Sequence, residues 1–374
     1  MYFTNANIYT PRFRFEAGSF AVENGRFSHV LEQAPQDAVD LKGAYVIPGL
    51  IDVHTHGNSG FDFSDGRDDG MEAMARYMAS VGVTSYAPAS LTVPYDQLAQ
   101  AYGTAARLLE RKLPDVAVVR GIHMEGPFFS DKKKGAQNGA HLRLPDYDAF
   151  QRLNEGCGGL IKIVDVAPEL PGAVDFIRRA SRDCTVSLAH TDTDYETAMA
   201  GFEAGATHIT HLYNGMNPMH HRNPGLIAAG SEWEQASAEL IGDGLHTHSA
   251  AVRFAFRVFG PRRMVLVSDS LRCCGMPDGE LELGGQTAYL SGGVARLADG
   301  TLAGSASNLY EILRKVISFG IPREDAIRAA TWNPARQLGC LAEVGSIENG
   351  KVADFIVCDA ELNQKAVFLA GRRL

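Results

Sequence analysis

The sequence predicts an α/β protein: a (β/α)8 TIM-like barrel joined to a small β-sandwich domain built from both chain termini. Three observations lead there. Eight apolar, strand-like runs alternate with helix-like patterns through the middle of the chain. That alternation argues for a parallel sheet, and eight is the number that closes a barrel. The first 45 residues and the last 30 read instead as short strands with tight turns. No G-x-G-x-x-G or Walker sequence follows a strand, which counts against an open, doubly wound sheet.

Near the N-terminus, Glu23-Asn24-Gly25-Arg26 lies between apolar runs and carries a hairpin signal. The expected barrel strands are Tyr45–Val53, Thr84–Ala89, Ala117–Ile122, Leu160–Val166, Thr185–Ala189, Thr207–Thr210, Ala236–Ile241 and Met264–Val267. Helical patterns between them include Met71–Ser80, Tyr95–Leu113, Ala173–Ser181 and Tyr195–Ala204. Turns such as Gly275–Gly279 and Gly284-Gly285 mark a β insertion at about 272–304, and Asn308–Ser318 and Arg323–Gln337 read as closing helices. The turn-rich Gly345–Lys351 leads into a last strand pattern, Val352–Val357. The expected division is residues 1–47 plus 343–374 for the β domain and 48–342 for the barrel.

Composition narrows the function classes. The chain has 374 residues, 45% apolar and 21% charged, with 35 Lys plus Arg against 44 Asp plus Glu. The longest basic run is Lys132-Lys133-Lys134, so partners such as nucleic acid or a membrane surface are not expected. No run of 18 apolar residues suggests a transmembrane helix. Six cysteines without a C-x-x-C pair, and a start without a basic then apolar stretch, predict a reduced, cytoplasmic protein.

Chemistry-bearing residues gather at the predicted strand ends, the edge on which barrels build active sites. His54 and His56 close the first strand two residues apart, a spacing that puts both rings on one face. Glu125 follows the third strand, His190 the fifth, His211 the sixth and Asp269 the eighth. Imidazoles and carboxylates in that arrangement point to a shared site for zinc, iron or manganese. A metal there brings the pKa of bound water from about 16 towards about 7, and Asp269 is placed to shuttle its proton. His123 and His208 read as core histidines. Cys273 and Cys274 read as residues lining the site. No G-x-S-x-G elbow supports a serine nucleophile.

These residues resemble the amidohydrolase superfamily and, more narrowly, the N-acetylglucosamine-6-phosphate deacetylases. The superfamily signals are Pro48–Gly57, with its His54-x-His56 pair, and Gly350-Lys351-Val352-Ala353-Asp354. The narrower signals include His123–Phe128, Lys134-Gly135-Ala136, Ala167-Pro168-Glu169, His211–Met216, Arg222–Gly225, Asp243–His246 and Gly300–Ser305. The resemblance implies hydrolysis of the acetamide of N-acetylglucosamine 6-phosphate, with one or two divalent metals per subunit. It implies Glu125, His190 and His211 as main metal ligands, His54 and His56 as a second position bridged by Glu125, and Asp269 as catalytic acid/base. It further implies substrate contacts from Ala136, Gln137, Asn214, Gly215, Arg222, Asp243, Gly244, Leu245, His246, Leu302, Ala303 and Gly304. A homodimer follows from the same resemblance, with the Arg222 loop near the neighbouring site.

Gln137 departs from the family pattern, standing where many members carry a histidine thought to polarise the acetyl carbonyl. Rival expectations are a deacetylase of the galacto sugar, another amidohydrolase such as a dihydroorotase or nucleobase deaminase, and a non-catalytic barrel scaffold. The last would be expected to lack ligands that are present here.

Overall fold

The first apolar run, Tyr45–Val53, serves two sheets rather than one in the computed structural model, which describes residues 1–28 and 35–374. Pro48 has no N–H to donate. Gly49 sits so close to Thr84 that a Cβ would lie 2.2 Å from its Oγ1. The chain changes sheets at this step. Tyr45–Pro48 pairs antiparallel with Phe355–Cys358 from the far end of the chain, and Leu50–Thr55 opens the barrel.

The barrel strands are β1 (Leu50–Thr55), β2 (Val83–Pro88), β3 (Ile122–Met124), β4 (Ile161–Val166), β5 (Thr185–Leu188), β6 (His208–Ile209), β7 (Ser237–Ile241) and β8 (Met264–Val267). From β3 to β8 they form one parallel ladder, and β1 pairs with β2. The expected third strand is broken: Val118–Val119 stays with β2, and only Ile122–Met124 joins β4. A bridge between Ala89 and His123 spans that break. The ring closes where Asp269 N–H donates to the His54 carbonyl at 2.9 Å and Ser268 N–H to Asp52 Oδ1 at 3.2 Å.

A helix follows each strand: α1 (Asp68–Ser80), α2 (Tyr95–Arg111), α3 (Tyr147–Gly156), α4 (Ala173–Ala180), α5 (Tyr195–Ala204), α6 (Gly225–Glu232), α7 (Ser249–Phe259) and α8 (Leu309–Ser318). Their faces explain the packing. In α2, Leu98, Ala101, Tyr102, Ala105 and Leu108 recur at three- and four-residue intervals and are buried together. The β insertion is a three-stranded antiparallel sheet, Gly279–Leu283, Gln286–Ser291 and Val294–Leu297, set between β8 and α8. The single closing helix expected over 323–337 is two helices, α9 (Arg323–Ala330) and α10 (Trp332–Gln337). Pro334 offers no N–H to the Ala330 carbonyl, so the helix restarts at Thr331.

Strands from both ends of the chain share one mixed sheet of eight. The Asn24-Gly25 hairpin has both residues at positive φ, 50° and 77°, which matches the right-handed twist of its strands. The sheet folds over an aromatic core in the manner of a sandwich. Phe3 lies 4.8 Å from Phe20, and Phe355 stacks on Phe368 at 4.3 Å between ring centres. No helix is long and apolar enough among the described residues to cross a membrane.

Candidate metal centre and active site

His190, His211 and Asp269 each stand two residues beyond a strand end with φ of 44°, 31° and 46°. An L-residue in the left-handed region costs about 1–2 kcal/mol. Three such residues at one rim mark a place where the backbone is bent to aim side chains. Gly215 completes the rim: at φ 61° it lies against His190, and a Cβ there would come within 2.9 Å of its Nδ1.

The aimed groups meet. Glu125 Oε1 lies 3.1 Å from His211 Nε2, 3.2 Å from His190 Nε2 and 3.5 Å from His54 Nε2. Glu125 Oε2 lies 3.3 Å from His56 Nε2. Asp269 Oδ1 is 3.2 Å from His56 Nε2 and 3.6 Å from His54 Nε2. Two ligand groups result, His54–His56–Asp269 and Glu125–His190–His211, with Glu125 reaching both.

The other face of the rings explains why nitrogen lone pairs point inward. His54 Nδ1 faces Glu239 Oε2 at 2.9 Å, His56 Nδ1 the Ala89 carbonyl at 3.0 Å and His190 Nδ1 the Lys133 carbonyl at 2.8 Å. Carbonyls and carboxylates only accept, so each Nδ1 carries a proton, and each Nε2 is left to face the carboxylates at the centre. His54 Nε2 is fully buried, and among the described residues it has no hydrogen-bond partner. His190 and His211 Nε2 are 3.1 Å apart. Ring nitrogens converging beside two carboxylates fit a divalent cation with nitrogen and oxygen ligands.

The electrostatics show how strongly the centre attracts positive charge. Burial disfavours the charge on Glu125, but His54 and His56 outweigh it and hold the carboxyl well below its usual range. Asp269 is likewise lowered despite burial, through His54 and His56. Burial opposes protonation of His211, yet its bond to Glu125 raises it to about 9. His56 is raised in the same way, chiefly by Glu125.

Ala136, Gln137, Asn214, Gly215, His246, Leu302, Ala303 and Gly304 line one cavity together with His56, Glu125, His190, His211 and Asp269. His54 lies behind it, with no exposure. Asp243, Gly244 and Leu245 line a neighbouring cavity instead. Asp243 nevertheless reaches the site through His246, whose Nδ1 is 2.6 Å from Asp243 Oδ2 and whose Nε2 is 2.6 Å from the Ala303 carbonyl. Arg222 sits outside both, on an exposed loop, bonded to His221 Nε2 at 2.7 Å.

One sequence expectation changes. Cys273 and Cys274 do not line the site cavity; both are buried, and burial pushes their thiols up to about 11 and about 12. The Gln137 carboxamide is engaged at both ends: its Oε1 accepts from Thr92 N–H at 2.7 Å, and its Nε2 donates to Glu125 Oε2. It braces the carboxylate. His123 and His208 are core histidines, bonded to Asp165 at 2.9 Å and Glu239 at 3.0 Å. Asp52, Asp165 and Glu239, the acids of this layer, were missed. Their signal was a carboxylate inside an otherwise apolar strand, which needs a buried partner.

The model of the Amidohydrolase family matches residues 45–374 of this chain. An N-acetylglucosamine-6-phosphate deacetylase of Bacillus subtilis is 36% identical over 353 residues, spanning 92% of this chain and 89% of that protein. An N-acetylgalactosamine-6-phosphate deacetylase of Escherichia coli O157:H7 is 33% identical over 344 residues, 91% of each chain. Among solved structures, a variant N-acetyl-D-glucosamine-6-phosphate deacetylase of Mycobacterium smegmatis, in complex with N-acetyl-D-glucosamine-6-phosphate, superposes with a TM-score of 0.93. It has 31% identity and covers 100% of this chain and 98% of that one. With its strand-end histidines and carboxylates in one cavity and relatives this similar over nearly all its length, the chain belongs to the amidohydrolase family, in the branch of the N-acetylglucosamine-6-phosphate deacetylases.

Proposed function

We propose that this enzyme hydrolyses the acetamide of N-acetylglucosamine 6-phosphate to glucosamine 6-phosphate and acetate, as a step of amino-sugar catabolism. The observation that carries the reading is the convergence of Glu125, His190, His211 and Asp269 on one cavity whose rim also holds Asn214, Gly215 and His246. Glu125, His190 and His211 would hold one divalent cation, and His54 and His56, with Glu125 between, a second. Zinc, iron and manganese suit that donor set. A cation held there polarises the amide carbonyl and makes water acidic enough to ionise near neutral pH.

The side chains do the rest. Asp269, held ionised by His54 and His56, accepts a proton from the attacking water as the new C–O bond forms. It returns that proton to the sugar nitrogen as the C–N bond breaks. Gln137 keeps Glu125 oriented. His246 has both ring nitrogens on acceptors, so it is read as a doubly protonated ring near the phosphate. Burial opposes that protonation, but Asp243 outweighs it and raises the ring's pKa. Arg222 supplies a planar donor fork for phosphate. Because Arg222 lies outside its own cavity, we place it at the neighbouring subunit's site, in a cytoplasmic homodimer. We assign residues 1–47 and 343–374 to the β domain and 48–342 to the barrel.

Acetate release tests the reading, with N-acetylglucosamine 6-phosphate compared with the unphosphorylated sugar on metal-loaded protein. A strong preference for the phosphorylated sugar is expected; equal rates would remove the phosphate assignment. The galacto isomer belongs in the same assay, because one relative carries that name.

A further inference from the structure

We propose that Glu239, in the middle of β7, is a positioning residue of the metal centre, fixing the ring proton of His54 on Nδ1 so that Nε2 faces the ligand cluster. The proposal rests on the metal-centre reading above and adds to it the group that orders one half of the site.

Glu239 is fully buried in the barrel floor. Its Oε2 lies 2.9 Å from His54 Nδ1 and 3.3 Å from the backbone N–H of His211. Its Oε1 lies 3.0 Å from His208 Nε2. One carboxylate therefore touches a side chain of one ligand group and the backbone of the other. For His56 and His190 the Nδ1 acceptor is a backbone carbonyl, which no substitution removes. For His54 it is a side chain alone. Without it, the Nδ1 proton would be stranded in a dry interior, while Glu125 and Asp269 stand 3.5 and 3.6 Å from Nε2. The ring would then move its proton to Nε2, where it blocks metal ligation. An acceptor behind a ligating histidine is worth about 10- to 100-fold in metal affinity.

The test uses E239A and E239M in the whole protein. Methionine fills much of the glutamate's volume without a carboxylate acceptor, so E239M retains shape if E239A does not fold. Nitrogen-15 NMR of histidine-labelled, metal-free protein reads the tautomer directly. Wild type is expected to show His54 protonated at Nδ1, and the variants to show it shifted towards Nε2. Elemental analysis against free metal should then show the His54–His56–Asp269 position weakened at least 10-fold, with the Glu125–His190–His211 position kept. An unchanged tautomer in a folded variant overturns the proposal. Wild-type protein that binds no metal would instead overturn the metal-centre reading, and the NMR result would still decide the role of Glu239.

Discussion

Two cores of opposite chemistry share this chain. The terminal sheet closes on Phe3, Phe20, Phe27, Phe355 and Phe368, rings in mutual edge, tilted and stacked contact. The centre of the barrel rim holds histidines and carboxylates, equally buried, each paired to another. The first core gains stability from apolar burial and ring contacts. The second carries desolvated charge that only pairing, or a bound cation, offsets. The lesson is that one region was shaped for holding the fold and the other for chemistry, so damage to each should read out differently.

The largest expected effect is at the rim. Chelation of the metal should abolish acetate release, and a divalent metal added back should restore it; full activity in verified metal-free protein would break the contrast. Next, Asp269→Asn should lower kcat by about 10²- to 10⁴-fold, the range for losing a positioned proton carrier, while circular dichroism and the metal held by Glu125, His190 and His211 remain close to wild type. Retained turnover would remove Asp269 from the mechanism.

The opposite core should behave in the opposite way. Phe3→Ala should cost about 3–5 kcal/mol of stability, seen as a lower denaturant midpoint, with kcat per folded molecule unchanged. A fall in kcat would mean that the two cores are coupled.

The smallest effect concerns Asp354, near the seam between the two regions, where its carbonyl accepts from Gly49 N–H at 2.9 Å. Burial raises its pKa from 3.8 to about 6, against the opposing Ala370 N–H and Arg120. A folded pKa above the unfolded one means that the folded state binds the proton more tightly. Stability is therefore lost as pH rises from about 4 to about 6, by up to about 3 kcal/mol. Asp354→Asn should flatten the melting temperature across that window; an unchanged slope would show that Asp354 does not carry it.

Much of this was legible in the linear chain. Strand ends were readable because an apolar run followed by His, Glu or Asp is an unusual pattern, and in a barrel all such ends face one rim. The tyrosine-to-valine run at 45–53 misled because apolarity does not say which sheet a strand joins; Pro48 and the tight approach of Gly49 to Thr84 decide that. Cys273 and Cys274 misled because proximity to Asp269 in sequence is not proximity in space.

By itself the sequence determined the alternating architecture, the two-ended β unit and the identity of the groups aimed at the centre, since periodicity and residue type are local properties. Tertiary structure alone decided which nitrogen of each histidine faces that centre, that Gln137 braces Glu125, and that Glu239 stands behind His54. Those outcomes depend on which atoms from strands far apart in sequence come within about 3 Å, the reach of a hydrogen bond, and only closure of the barrel brings them there.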